Sequence, residues 1–370
     1  MMTADTVGGV WNYALTLAGE LYRAPPSGGA EVFLAVMGPP PSAAQRMQAA
    51  AVPNLHLFVG DFPLEWMRPD DESFESSCSW LQELALSCRP DIIHFNGYAH
   101  AAREWPAPSI VVAHSCVLSW WRAVHGVPAP PEWQGYAQRV RQGLMRADRF
   151  VAPTQAMLCT LSEDYGLARG SVIANGCVLD RFRPGRKEDF VLSAGRLWDE
   201  AKNLAVLNEA AARIDCPVYV AGDSRHPNGQ RLEPTAARTL GVLTPEALRE
   251  WMSRAAIYAL PARYEPFGLS MLEAAASGCA LVLGDIPSLR ELWDGAALFV
   301  SPVDPLALAE AIETLRADRA ALQRLSDAAY RRSRDFTAER MGRAYAALYD
   351  ELAPQCGTSN RPPIAAGAVI

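Results

Sequence analysis

Several things are missing from this chain, and each absence removes a class of function. Positive charge is not in excess: 34 Lys and Arg against 41 Asp and Glu give a net charge of −7. A nucleic-acid binder would carry a basic footprint, so no nucleic-acid partner is expected. No apolar run approaches the ~20 residues that a membrane-spanning helix needs. The start, Met1-Met-Thr-Ala-Asp-Thr, lacks the basic and apolar segments of a secretory leader, which points to a cytoplasmic protein. The eight cysteines include no C-x-x-C pair, and no Cys/His spacing suits zinc. Free thiols in a reducing compartment, with no metal site, are the expectation. A Gly8-Gly9 turn lies near the start, but it is not G-x-G-x-x-G and no acidic ribose partner follows at the usual distance. Those two absences argue against a nicotinamide-dependent dehydrogenase.

What is present reads as a globular enzyme of two units. Half of the residues are hydrophobic and 20% are charged, and 370 residues exceed one typical core. Short apolar runs alternate with helical patterns, the signature of α/β with parallel sheets. Strands are predicted over 32–37, 55–59, 91–95, 110–113, 150–153 and 172–174, with a helix running from the Gly8-Gly9 turn to about Tyr22. A second series begins near Phe190, with strands over 190–194, 218–221, 257–260, 280–283 and 297–300. Helices are expected over 205–214, 245–255, 270–277 and 288–292, and the chain is read as helical from Pro305 to about Leu352. The implied division is 1–174 for a first Rossmann-like unit, 175–187 for a linker and 188–334 for a second unit. A terminal helix over 335–352 and a disordered tail over 353–370 complete it. Only residues 1–4 precede the first turn, short for a buried strand, so the natural chain is expected to start further upstream.

The most informative stretch is Glu265-Pro-Phe-Gly-Leu-Ser-Met-Leu-Glu273. Pro266 and Gly268 favour a turn, and the apolar residues after them favour a helix. Along a continuous helix the two carboxylates would stand about 12 Å apart. That exceeds the roughly 5–10 Å of a glycosidase acid/base pair. The spacing suits two grips on separate hydroxyl-bearing parts of one elongated ligand, with helix N–H groups beside them for an anion.

Several segments, in order, resemble the retaining glycosyltransferases of family 4, which have the GT-B fold. They are Asp5-Thr-Val-Gly-Gly-Val10, Val172-Ile-Ala-Asn-Gly176, Ser193-Ala-Gly-Arg196 with Lys202-Asn-Leu204, Val220-Ala-Gly-Asp223, Pro261-Ala-Arg-Tyr-Glu-Pro-Phe-Gly268 and Glu273-Ala-Ala-Ala-Ser-Gly278. The resemblance implies two Rossmann-like domains facing across a cleft, with the C-terminal helix crossing back to the first. It implies that Arg196 and Lys202 neutralise a donor diphosphate, that Glu265 contacts sugar hydroxyls and that Glu273 holds the ribose. Phe267, Gly268 and Leu269 would offer backbone N–H groups, while Gly222 and Asp223 would shape the loop near the donor. Without the resemblance, Arg196 and Lys202 would read as surface cations, Glu273 as a charge in a first helical turn, and Asp223 as a turn residue.

On the acceptor side, Gly8 and Gly9 would let a ligand approach bare backbone, and His114 would bind the transferring sugar, although a lone His after a strand is usually structural. Ser115 stands where an Asp is frequent in the family. Trp120-Trp121, with Arg122 and His125, reads either as a stacking platform or as packing. Arg139, Arg141, Arg146 and Arg149 are placed on one helix, which reads as a solvated face or, as in membrane-associated relatives, as a peripheral contact at the inner membrane face.

The expected reaction moves a hexose from a nucleotide diphosphate sugar to the hydroxyl of a saccharide, lipid-linked sugar or small molecule. It would proceed with retention, by front-side attack, without metal or other cofactor. Another GT-B enzyme, such as a sugar-nucleotide epimerase, and a non-catalytic nucleotide-sugar-binding subunit are the alternatives.

Overall fold

A run such as Val32–Met37, apolar at every position, suits a strand covered on both faces, and all six of its residues are buried. A computed structural model describes residues 1–23, 29–167, 170–225 and 234–353, so the tail over 354–370 lies outside the described residues. The N-terminal half comprises β1 (Met2–Asp5), α1 (Gly9–Arg23), β2 (Val32–Met37), α2 (Ala43–Ala50), β3 (Leu55–Val59), α3 (Asp71–Cys88) and β4 (Ile93–Phe95). It continues with β5 (Ser109–Val112), α4 (Val117–His125), α5 (Gln134–Arg146), β6 (Arg149–Ala152), α6 (Gln155–Tyr165) and β7 (Ser171–Val172). These strands form one parallel sheet in the order β3-β2-β1-β4-β5-β6-β7.

The C-terminal half comprises β8 (Glu188–Ala194), α7 (Leu204–Ala211), β9 (Val218–Ala221), β10 (Arg238–Gly241), α8 (Pro245–Arg254) and β11 (Ala255–Leu260). After these come α9 (Leu269–Ala276), β12 (Ala280–Gly284), α10 (Pro287–Trp293), β13 (Leu298–Val300), α11 (Pro305–Ala317), α12 (Arg319–Ser333) and α13 (Ala338–Leu352). Its parallel sheet runs β10-β9-β8-β11-β12-β13. In both sheets the strand order reverses beside the first strand, at β1/β4 and at β8/β11. Ligands of doubly wound sheets bind outside the carboxyl ends of strands at such switch points.

The chain crosses between the halves twice, side by side. Cys177 N–H donates to Phe336 O (3.2 Å) and Ala338 N–H to Cys177 O (2.9 Å). Helix α13 then packs along α1, with Met341 and Tyr345 buried among Tyr13, Ala14 and Leu17. The C-terminal helix therefore returns to the N-terminal half, as the family resemblance implied.

Some local expectations need correction. The helical stretch after Pro305 is three helices, because Asp318 and Thr337 each accept a backbone N–H and start a new one. Strand β10 was missed because its edge position leaves it exposed or half-buried, without an apolar run. Arg149 opens β6 and is not on the helix of Arg139, Arg141 and Arg146. Those three are engaged: Arg139 with Asp71, Arg141 with the carbonyl of Tyr165, and Arg146 with Glu104. The four-residue β1 pairs along its whole length with Leu34 to Met37 of β2.

Candidate active site

The carboxyl ends of β1, β4, β8 and β11 supply a crevice between the halves. The turn after β1 carries Gly8 and Gly9. A Cβ on Gly8 would stand 3.1 Å from Arg196 Nη1, and one on Gly9 would stand 3.5 Å from Leu269 Cδ1. Bare backbone of the first half thus faces Arg196 and the start of α9 in the second.

Arg196 follows β8, and its Nη2 donates to Asp199 Oδ2 at 2.9 Å while its guanidinium lies over the Trp198 ring. Asp199 also accepts from Ala201 N–H and so starts the short 3-10 turn Glu200–Lys202, which delivers Lys202. Burial alone would raise the Asp199 carboxyl, but Lys202, Arg196 and the hydrogen bonds from Trp120 and Ala201 outweigh it and hold it below the usual range. Lys202 Nζ donates to Glu265 Oε2 at 2.5 Å. Two cation–carboxylate pairs therefore lie together, with no net charge between them. Such a set can receive a dianion by turning its cations toward it.

Glu265 precedes α9 in a loop held at both ends of the crevice. Ser288 Oγ donates to Glu265 O (2.6 Å), and Thr154 Oγ1, from the other half, donates to Pro266 O (3.1 Å). Phe267 is buried edge-on against Phe336 at 5.6 Å. Gly268 has φ 88°, a left-handed conformation that glycine adopts without strain, and from it α9 begins at Leu269 with no side chain capping its first turn. Glu273 is therefore in the second turn, not the first, and the two carboxylates do not share one helix. Its carboxyl is pushed up to about 7, chiefly by burial, with Arg249 a weaker opposing influence.

Gly222, at φ 137°, passes so close to the opposite loop that a Cβ would stand 1.8 Å from Gly195 O. Asp223 accepts Leu197 N–H through its backbone oxygen and Arg225 N–H through Oδ1, which ties the loop after β9 to the loop after β8.

His114 follows β5. Its Nε2 donates to Asn96 Oδ1 (2.8 Å), and its ring meets Tyr13 edge-on at 4.5 Å. Asn96 is fixed by donating Nδ2–H to Thr3 O (2.7 Å). Burial lowers the His114 imidazole to about 4, so it is neutral at pH 7 with its Nε2 proton committed.

Sequence reading gave no role to Asp199, Tyr264 and Asn96, and read Trp120 as part of a stacking platform or as packing, without its contact to Asp199. Asp199 stands three residues after Arg196, a spacing that could have signalled it. The others reach the site through tertiary contact alone. Trp120 and Trp121 meet edge-on at 6.0 Å and both pack on His125, at 5.4 and 4.6 Å, while Trp120 Nε1 also donates to Asp199. Arg122 pairs with Asp164 at 2.5 Å. Among the described residues no group of three or more His, Cys, Asp or Glu is placed to hold a metal ion. Nor is any described helix long and apolar enough to cross a membrane.

Comparisons with known proteins agree with this architecture. The family profile described as Glycosyltransferase Family 4 matches residues 7–181, and that described as Glycosyl transferases group 1 matches residues 188–318. A D-inositol 3-phosphate glycosyltransferase of Geodermatophilus obscurus is 32% identical over 317 residues, covering 73% of this chain and 69% of that protein. A glycogen synthase of Mycobacterium tuberculosis is 29% identical over 293 residues, covering 71% and 69%. Among solved structures, a sucrose-phosphate synthase from Thermosynechococcus elongatus superposes with a TM-score of 0.74 at 20% identity, covering 95% of this chain and 98% of that one. Anabaena HepE in complex with UDP-glucose gives 0.73 at 16% identity, covering 95% and 99%.

Proposed function

The chain belongs to family 4 of the glycosyltransferases and has the GT-B fold, and on that premise we propose that it transfers a hexose from a nucleotide diphosphate sugar to an acceptor hydroxyl with retention and without metal. The observation that carries this reading is the pairing of Arg196 with Asp199 and of Lys202 with Glu265 at the switch point of the second sheet, opposite the Gly8-Gly9 backbone.

In this reading the donor diphosphate lies against Arg196 and Lys202, with the N–H groups of Phe267, Gly268 and Leu269 adding a helix N-terminus. Glu265 meets the sugar hydroxyls and Glu273 the ribose. Gly222 and Asp223 hold the loop beside the nucleotide. Neutral His114 and the Gly8-Gly9 backbone border the sugar on the acceptor side.

The acceptor oxygen bonds to the anomeric carbon on the face from which the phosphate oxygen departs. The acceptor proton passes to that departing oxygen. Arg196 and Lys202 neutralise the charge growing on the diphosphate, in a crevice where such stabilisation exceeds its value in water. Glu265 is already engaged by Lys202, which suits a sugar grip better than a nucleophile.

A thermal-shift panel of UDP, GDP and ADP with their glucose and mannose conjugates tests the reading, because a bound ligand stabilises the folded state by mass action. At least one nucleotide sugar is expected to raise Tm and to release its diphosphate when an acceptor saccharide is added. No shift with any of them overturns the reading.

A further inference from the structure

Helix α4 belongs to the N-terminal half, yet it reaches both charge pairs of the other half. Its Trp120 Nε1–H donates across the crevice to Asp199 Oδ1 at 3.1 Å. The second oxygen of that carboxylate receives Arg196 Nη2 at 2.9 Å. Ala201 N–H also donates to Oδ1 (3.0 Å), in the turn that ends at Lys202. At the start of α4, Cys116 N–H donates to the Tyr264 hydroxyl (2.9 Å), which also meets Ser119 Oγ (3.0 Å). Tyr264 immediately precedes Glu265, the partner of Lys202. The Asp199 side chain is only 6% exposed, so water does little to hold it and its geometry is set by these few donors.

We propose that Trp120 is a positioning residue for Arg196. When the two halves close, its indole N–H seats on Asp199 and fixes the carboxylate that aims the guanidinium. The proposal rests on the donor-site reading above.

Arg196 has a long, 41% exposed side chain; Trp198 lies under its guanidinium, and one carboxylate oxygen is its hydrogen-bonding anchor. A carboxylate held by Ala201 alone can rotate, and the guanidinium rotates with it. A carboxylate also held by Trp120 cannot. The acceptor half thereby completes the charge arrangement of the donor half, and the cations are aimed at the diphosphate only when an acceptor site is in place above it. Trp120 acts through Asp199 and touches no reacting atom in this scheme.

Two measurements test it. In the donor-free protein, the Trp120 indole N–H resonance, assigned by its loss in Trp120→Phe, should move in both Asp199→Asn and Arg196→Ala. A resonance unmoved in both overturns the contact, and two variants guard against one failing to fold. In steady-state assays with the best nucleotide sugar of the panel, Trp120→Phe keeps an aromatic ring, smaller than indole, and loses one hydrogen bond to a charged group. It should lower kcat about tenfold and leave the donor KM within about twofold. An unchanged kcat, or a change in KM alone, overturns the positioning role. Wild-type protein that turns over no nucleotide sugar removes the donor reading and this role together. Wild-type turnover with an unaltered Trp120→Phe removes this role alone.

Discussion

The ammonium of Lys202 lies 2.5 Å from the carboxylate of Glu265, with only 16% and 13% of the two side chains exposed. A pair so nearly removed from water leaves a costly lone charge when either partner is deleted. Lys202→Ala is expected to lower stability by about 1–3 kcal/mol, below the full cost of a buried pair because some solvent reaches it. It should also cut kcat/KM by about 100-fold or more, as loss of one charge-stabilising group at a reaction centre does. Urea denaturation and initial-rate assays check the two effects separately. Near-normal turnover in a folded variant would remove Lys202 from the mechanism.

Glu273 links pH to both stability and donor binding. Its carboxyl ionises near 7 in the folded protein, against 4.5 ordinarily. The folded state therefore keeps a proton that the unfolded chain loses, and ionising it becomes a cost that grows from pH 4.5 and is complete above pH 7. Glu273→Gln should be more stable than wild type by about 3 kcal/mol at pH 8 and nearly equal to it at pH 4.5. A ribose hydroxyl donating to this group favours its ionised form, so donor binding at pH 7 should release protons. Calorimetry in buffers of different ionisation enthalpy measures that release.

Three buried imidazoles predict acid sensitivity. Burial lowers His94 to about 3, His100 to about 4 and His114 to about 4, from 6.5. Their stability contribution is complete above pH 6.5 and is lost as pH falls toward 4, since the unfolded chain takes up protons first. Each should account for about 2 kcal/mol of lost stability at pH 5 relative to pH 7. Urea midpoints at the two pH values test this, and His114→Gln should flatten the dependence. The same neutrality means that His114 contributes no activity limb near pH 6.5.

Glu291 joins the halves by capping a helix of the other one. Its Oε1 accepts from Gln155 N–H (2.7 Å) and its Oε2 from Ala156 N–H (2.8 Å), at the start of α6. Glu291→Ala removes that cap, worth about 1 kcal/mol at an exposed helix N-terminus. The expected result is a larger radius of gyration by small-angle scattering and a lower kcat/KM. An unchanged radius would show that other contacts suffice to hold the halves together.

Gly222 tolerates no side chain. A Cβ would stand 1.8 Å from Gly195 O, and φ 137° disfavours any other residue. Gly222→Ala should cost more than about 3 kcal/mol, combining backbone strain with a clash against main chain. The urea midpoint of the variant, or its failure to accumulate as folded protein, is the readout.

Much of the fold was legible because buried parallel strands are written as short apolar runs. The predicted 32–37, 55–59 and 218–221 coincide with β2, β3 and β9. Edge strand β10, polar and partly exposed, carries no such run and went unseen. In the Glu265–Glu273 stretch the turn at Gly268 was readable, but its positive φ separates Glu265 from the helix and moves Glu273 into the second turn. The carboxylates therefore cannot be spaced by helical rise.

Local order along the chain determined which residue types reach the crevice. Gly8, Arg196, Lys202 and Glu265 each lie in the loop that follows a strand of a doubly wound sheet, and such loops are read from strand boundaries alone. Which groups pair there was decided by tertiary structure. Lys202 is 63 residues from Glu265, and Trp120 is 79 residues from Asp199. No periodicity spans such separations. Lys202 meets Glu265 because β8 and β11 are neighbours in one sheet, and Trp120 meets Asp199 because α13 and the linker hold loop ends of different halves within about 3 Å.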